Sequence, residues 1–423
     1  MVSTASGRRA VARCDLLGSP PFSDAPDMLF RAYLTPSYAR AQEAVAGWMI
    51  EAGMEVRIDP AANLVGRYEG LDAAAPALVI GSHLDSVRDG GRYDGPLGIM
   101  LGIECVAALS EAGRRLPFPI EVYAFGDEEG SRFPAAMLTS RAMAGTLDPA
   151  ELELTDDDGM SLDQALRGFQ SAEGVQMPAL DLPSYPAARH AGALAYLEAH
   201  IEQGPVLEAE GLAVGVVTGI AAQLRYAVTV DGMAGHAGTT SMPLRRDALA
   251  AAAEMVLAVE QVARSDGSDL VATVGRMAVA PGAANVIAGR VDFTLDVRSG
   301  DPDRRDRAAA AIAAEFDRIA ARRGVGLDVR LIHDLPASPC DPALMAMLDD
   351  AVAGVGERPF RLVSGAGHDA MVMAALCATA MLFIRCAGGI SHNPAESVDP
   401  ADADVALAVM RRFVEALGEN RAT

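Results

Sequence analysis

The chain has no lysine: all 35 of its basic residues are arginines. That excludes a Schiff-base lysine and a phosphate-binding P-loop lysine from its chemistry. Cysteine is scarce as well. Cys14, Cys105, Cys340, Cys377 and Cys386 are odd in number and form no CxxC pair. A disulfide framework or a thiolate zinc site does not fit that pattern, whereas a reducing, cytoplasmic setting does. No uncharged run is long enough to cross a membrane, and the N-terminus lacks the apolar core of a signal peptide. Positive charge is also outnumbered. A formal net charge of -22 would repel a polyanion and argues against nucleic acid as a partner.

What the sequence has is apolar material in quantity. Hydrophobic residues make up 51% of 423 positions, enough to bury a large core and fill two or three domains. Continuous apolar runs at Ala77–Ser82, Ile120–Phe125 and Ala380–Cys386 read as strands buried on both faces. A shorter strand is expected over Asn63–Tyr68. Helices are expected over residues 36–52, with Pro36 near the start, and over Leu97–Ala112, with Gly113 placed to end it. This alternation predicts an α/β fold, a sheet flanked by helices. Residues 150–190 are rich in Asp, Pro, Ser and Gly and read as surface structure, with a helical piece at Leu162–Gly168.

The pattern changes between Gly219 and about Pro336. Strands over Leu224–Val230, Leu270–Ala278 and Val291–Val297 alternate with helices over Arg246–Arg264 and Asp303–Arg323. These five elements match a β-α-β-β-α-β order up to its last strand, which predicts a ferredoxin-like α+β domain at 219–336, inserted into a domain made of 1–218 and 337–423.

Histidines are few, and their placement is informative. His83 follows the first buried run, in GSHLDSV, and His392 follows the third, in GGISHNPAE. Glu128 and Glu129 follow the second, in FGDEEGSRFP. Open α/β sheets bind ligands at the carboxyl ends of their strands, where all three segments fall. Asp85, two residues after His83, suits the carboxylate that fixes the tautomer of a metal-ligating imidazole. Two adjacent acids repel unless a cation or proton intervenes, so one of the pair Glu128–Glu129 would ligate metal and the other act as general base. Spacing leaves Asp94, in GRYDGPLGI, open between a bridging ligand and an ordinary Asp-Gly turn. It also leaves open the role of His200, in LEAHIEQGPVLE.

The ordered segments GSHLDSV, GRYDGPLGI, FGDEEGSRFP, HIEQGPVLE, GHAGTTSMPLRRDA, ANVIAG, DVRSGD, SGAGHDA and SHNPAE resemble the allantoate amidohydrolase and N-carbamoyl-L-amino-acid hydrolase family, from about residue 15 to about 415. That family belongs to a wider group of di-metal aminoacylases and exopeptidases. The resemblance implies a catalytic domain with a mixed, mostly parallel sheet and an inserted lid that also carries homodimer contacts. It implies two divalent cations per subunit. His83 and His200 would hold one, Glu129 and His392 the other, with Asp94 bridging. Mixed His and carboxylate ligands suit Zn²⁺, with Mn²⁺ or Co²⁺ able to replace it. Glu128 becomes the general base and Asp85 the orienter of His83. Gln203, His236, Asn285, Arg298 and Gly367 match the family's substrate contacts. His236 would also steady the developing oxyanion, and Arg298 would clamp a substrate carboxylate. Ser241 stands where the family has proline, a departure that touches none of these roles. Peptidase branches usually carry a carboxylate where this chain has His200.

The expected substrate is therefore a small carboxylate bearing a ureido group. The segments LLGSPPFSDAPDMLFRAYLTP and AFGDEEGSRFP look more like allantoate enzymes. N-carbamoyl amino acids or β-ureidopropionate are the alternatives, ahead of dipeptides or acylated amino acids.

Overall fold

A computed structural model describes residues 4–169 and 175–422. The surface reading of 150–190 therefore holds a stretch, 170–174, outside the described residues. The strands run in chain order as β1 Glu55–Ile58, β2 Leu64–Tyr68, β3 Ala77–His83, β4 Ile120–Phe125, β5 Ala193–Ile201 and β6 Val214–Ile220. They continue as β7 Ala222–Asp231, β8 Gly235–His236, β9 Val271–Ala280, β10 Val286–Ile287, β11 Arg290–Ser299 and β12 Gly326–Leu335. β13 Ser338–Pro339, β14 Arg361–Ser364 and β15 Thr379–Ile384 complete them. The chain divides into two compact units: Met1–Thr218 with Cys340–Leu362 and Gly367–Thr423, and Gly219–Pro339 with Val363–Ala366. No helix of the described residues is long and apolar enough to cross a membrane.

The first unit is built on a mixed sheet in the order β1-β2-β4-β3-β5-β15-β6. Its centre, β4-β3-β5-β15, is parallel, and antiparallel strands flank it. β3, β4 and β15 are buried along their whole length, as expected of apolar runs covered on both faces. The helix Pro96–Glu111 is buried almost all round and so belongs to the interior. Pro96 opens it with a φ already suited to a first turn, and Gly95 before it has φ 80°, a value that favours glycine.

The strand β5 was not foreseen. ALAYLEAHI carries Glu198 and His200 inside an otherwise apolar segment, so it does not read as a buried run. Yet both side chains are buried, and β5 lies in the middle of the sheet.

The second unit is a four-stranded antiparallel sheet in the order β12-β7-β11-β9. Two helices, Ala248–Asp266 and Pro302–Arg323, pack on it around Met255, Phe293, Leu295, Ile312 and Phe316. Asp247 and Asp301 cap these helices by accepting bonds from the first backbone N–H groups, and Gly267 and Gly324 close them in the left-handed conformation. A separate two-residue ribbon pairs β8 with β10.

Candidate metal centre

The four central strands run parallel, so their carboxyl ends share one edge. His83 is the last residue of β3, and His200 is one residue from the end of its neighbour β5. Glu128 and Glu129 lie just past β4, and His392 lies in the loop after β15. Asp94 arrives from the turn between β3 and the helix Pro96–Glu111. Its Oδ1 is 3.0 Å from His200 Nε2 and 3.6 Å from His83 Nε2. Its Oδ2 is 3.2 Å from His392 Nε2, which is itself 3.4 Å from Glu129 Oε1. Asp94 is thus the centre of the group, with an imidazole on each oxygen. Ligand atoms of His83, Asp94 and His200 lie within 4.8 Å of one another, as do those of Asp94, Glu129 and His392.

The donor set fits divalent cations on two counts. His83 Nδ1 is 3.1 Å from the Asp85 carbonyl oxygen, and His200 Nδ1 is 2.9 Å from that of Ile201. A carbonyl only accepts, so each Nδ1 carries a proton, and in the neutral ring each Nε2 turns a lone pair inward, the tautomer a metal ligand needs. Second, Asp94 Oδ1 is buried against the Nε2 atoms of His200 and His83, so beside neutral rings it has no donor among the described residues. A buried carboxylate oxygen with no donor is costly unless a cation takes its place.

The electrostatics favour positive charge here. Burial opposes a charged ring at His83, but Asp94, Glu128 and Asp85 outweigh it and hold its pKa well above the ordinary histidine value. His200 is raised against burial in the same way, chiefly by Asp94. Hydrogen bonds to Asp94 and Glu129 push His392 up to about 10. Asp94 resists its own burial and falls well below the carboxylate range because three imidazoles face it.

Glu128 behaves in the opposite way. Burial pushes it well above the usual carboxylate range, and Asp369, Glu129 and Asp85 add to the push against the pull of His83. Asp85 is fully buried, and burial raises it to about 6. Its carboxylate accepts the backbone N–H of Glu128 at 3.2 Å and of Glu129 at 3.3 Å. Its Oδ1 is 3.8 Å from His83 Nδ1, farther than its own carbonyl. Asp85 therefore holds the two glutamates through their backbone and meets the imidazole mainly through its main chain.

The expected substrate contacts are distributed between the units. In the first, Gln203 has φ 58° and donates from Nε2 to Asp94 Oδ2 at 3.0 Å and to Ser391 Oγ at 3.1 Å. Gly367 is exposed and leads into the short helix Asp369–Met373. In the second, His236 and Asn285 are both exposed; Asn285 precedes Val286, the register partner of His236 in the ribbon. Arg298, on β11, is held by Asp296 through two nitrogens, at 2.7 and 3.3 Å.

Two buried acids beside the site escaped the sequence reading. Glu198 accepts bonds from Ser82 Oγ, Tyr196 OH and Ala370 N, and it clusters with His200 and His368. Its signal was its place two residues before His200, on the same face of a strand. Glu396, in SHNPAE, bonds to backbone groups far away in sequence, so no local pattern marks it.

Residues 79–416 match the profile of peptidase family M20/M25/M40. The chain belongs to this family. Among its relatives, an N-carbamoyl-L-amino acid amidohydrolase of Geobacillus stearothermophilus is 43% identical over 391 residues, 92% of this chain and 93% of that protein. An allantoate deiminase of Arabidopsis thaliana is 39% identical, covering 96% of this chain and 81% of the other. A solved amidase of the hydantoinase/carbamoylase family from Burkholderia multivorans superposes with a TM-score of 0.88 at 34% identity, covering 97% of this chain and 98% of that one. As an M20-family member with amidohydrolase relatives, the chain is a hydrolase of C–N bonds, with a mixed α/β fold and a cluster of residues suited to metal.

Proposed function

We propose that the chain is a ureido amidohydrolase with allantoate as its substrate and ureidoglycine, ammonia and carbon dioxide as products. The observation that carries the reading is a buried glutamate, Glu128, set beside a His–carboxylate cluster suited to two cations. His83 and His200 would hold one cation and Glu129 and His392 the other, with Asp94 between them. Bound there, divalent cations supply Lewis-acid activation of the attacking water and of the ureido carbonyl. Glu128 accepts the proton of that water and returns it to the departing nitrogen. A carboxyl with a raised pKa suits both halves of this transfer. The carbamate left behind loses carbon dioxide. His236 steadies the oxyanion, Arg298 clamps the substrate carboxylate, and Gln203, Asn285 and Gly367 complete its contacts. We propose further that the second unit carries homodimer contacts, which a solution mass of twice 43.9 kDa would test.

Support for the ureido group comes from the names of the relatives. Support for allantoate comes from the segments LLGSPPFSDAPDMLFRAYLTP and AFGDEEGSRFP. One observation favours a second reading, N-carbamoyl-L-amino-acid hydrolysis: the 43% identity to the Geobacillus enzyme. The deciding experiment strips the protein with chelator, reloads it with Zn²⁺, Mn²⁺ or Co²⁺, and follows ammonia from allantoate, N-carbamoyl amino acids and β-ureidopropionate, with dipeptides as controls. Allantoate should give the highest kcat/KM. Ammonia from carbamoyl amino acids alone would reverse the order, and dipeptide cleavage without ammonia from any ureide would sink the ureido reading.

A further inference from the structure

The loop that carries His392 is fastened to the turn that carries Asp94 at two points. One is the Asp94 carboxylate, whose Oδ2 accepts from Ser391 Oγ at 2.9 Å. The other is the Asp94 backbone. Glu396 Oε1 accepts the N–H of Tyr93 at 2.8 Å and of Asp94 at 3.2 Å. Glu396 is only 4% exposed, and its other oxygen is buried without a partner among the described residues. A buried carboxylate spent on two backbone N–H groups is an expensive way to hold a turn. The turn is shaped to receive it: a Cβ on Gly91 would fall 2.1 Å from Glu396 Cδ, so only glycine admits the carboxylate. The loop is closed on itself as well, by Ala387 N donating to Ser397 O at 3.0 Å and Glu396 N to Asn393 O at 3.0 Å.

We infer that Glu396, with Ser391, is a positioning residue that sets Asp94 against His392 and so fixes the affinity of the cation held by Asp94, Glu129 and His392. This rests on the two-cation reading above. The other group, His83, Asp94 and His200, shares Asp94 but takes its two imidazoles from β3 and β5, which the clasp does not touch. Loosening the clasp separates Asp94 from His392 and leaves His83 and His200 in place. The effect is therefore larger for the cation that also needs His392 than for the one held by His83 and His200. Glutamine keeps an oxygen that can accept both N–H groups, so charge and hydrogen bonding are separable.

The test is calorimetric titration of chelator-stripped protein with Zn²⁺ and Mn²⁺, with bound metal counted by elemental analysis and thermal unfolding followed in parallel. Glu396→Ala should weaken one binding step by about 10- to 100-fold, the range for lost outer-shell partners, and the other step clearly less. Glu396→Gln should stay closer to wild type than Glu396→Ala. Ser391→Ala, which removes the other fastening from a more open position, should weaken the same step and serves if Glu396→Ala does not fold. Wild-type affinities in both Glu396→Ala and Ser391→Ala, or equal weakening of both steps, would overturn the inference. Glu396→Gln as weak as Glu396→Ala would overturn its basis in the two backbone bonds. Fewer than two sites in the wild-type titration would overturn the two-cation reading itself.

Discussion

Replacing Glu128 by glutamine should separate stability from activity in opposite directions. The side chain is buried, and Asp85 holds its backbone N–H at 3.2 Å. Glutamine matches its shape but accepts no proton. Removing a positioned general base costs roughly 10²–10⁴-fold in rate. Burial leaves little bulk water to substitute, so the upper part of that range, about 10³–10⁴, is expected, or about 4–5.5 kcal/mol of transition-state stabilisation. Stability should move the other way. The Glu128 pKa in the folded chain lies well above its ordinary value, chiefly through burial. A group raised in this way stabilises the fold while protonated, below its unfolded pKa, and loses that contribution as pH rises through the folded pKa. Above the unfolded pKa the folded chain must therefore either hold a proton on Glu128 or bury its charge, a penalty that glutamine lifts. Chelated Glu128→Gln should melt higher than chelated wild type at pH 8, with the gap closing toward pH 4. The assays are initial rates of ammonia release, metal content and thermal melts. A metal-replete variant within about tenfold of wild-type kcat would refute the general-base role. Loss of a cation together with activity would instead make Glu128 a ligand.

Three further outcomes are expected. Gly95→Ala would place a Cβ 2.4 Å from the His83 carbonyl oxygen and 2.6 Å from its ring, at φ 80°, so the variant should lose cation binding at His83; full metal content by elemental analysis would contradict this. Glu121 is buried on β4 between His190 and Arg67, at 3.1 and 2.9 Å, and these partners hold its pKa down against the opposing effect of burial. Glu121→Gln should cost about 3 kcal/mol in urea unfolding at pH 7, as for a broken buried pair. A depressed carboxylate stabilises above its unfolded pKa and loses this as pH falls through the folded one, so the cost should shrink toward pH 3, and a constant cost would contradict it. Arg298→Ala should lower kcat/KM by about 10- to 100-fold for ureides bearing a carboxylate, the worth of a charged hydrogen bond of ~1.5–3 kcal/mol. It should spare neutral ureides, and an equal loss on both would remove Arg298 from carboxylate binding.

The legible parts of the fold were those where one local rule decides. Continuous apolar runs gave β3, β4 and β15, and the change to alternating segments after Gly219 gave β7, β9, β11 and the two long helices of the second unit, though not β8, β10 or β12. The segment containing His200 obeyed no such rule. Its two polar residues are buried because they face the site, and the same fact hid the strand. The candidate site divides in the same way. Placement after buried strands drew attention to His83, Glu128, Glu129 and His392 without any family knowledge. Asp94 sits in a turn whose Asp and Gly also suit an ordinary turn, and only the motif set singled it out in the sequence. Glu198 and Glu396 act through contacts with other strands and turns, and pairings of that range leave no periodicity to read.

The place of β15 in the sheet has a consequence for how the protein is made. β15 lies between β5 and β6, yet it is synthesised only after the whole second unit. Until it leaves the ribosome, β5 lacks its neighbour on that side, and a row of N–H and C=O groups in the heart of the future sheet stands open. Open edges of this kind recruit other strands, so the nascent chain passes through a stage prone to association. His392 follows later still. A chain halted before β15 would already carry His83, Asp94, Glu129 and His200, but not the complete set of proposed ligands. On the proposed two-cation reading, loading with a second cation thus reports that synthesis has passed His392 and that β15 has joined the sheet.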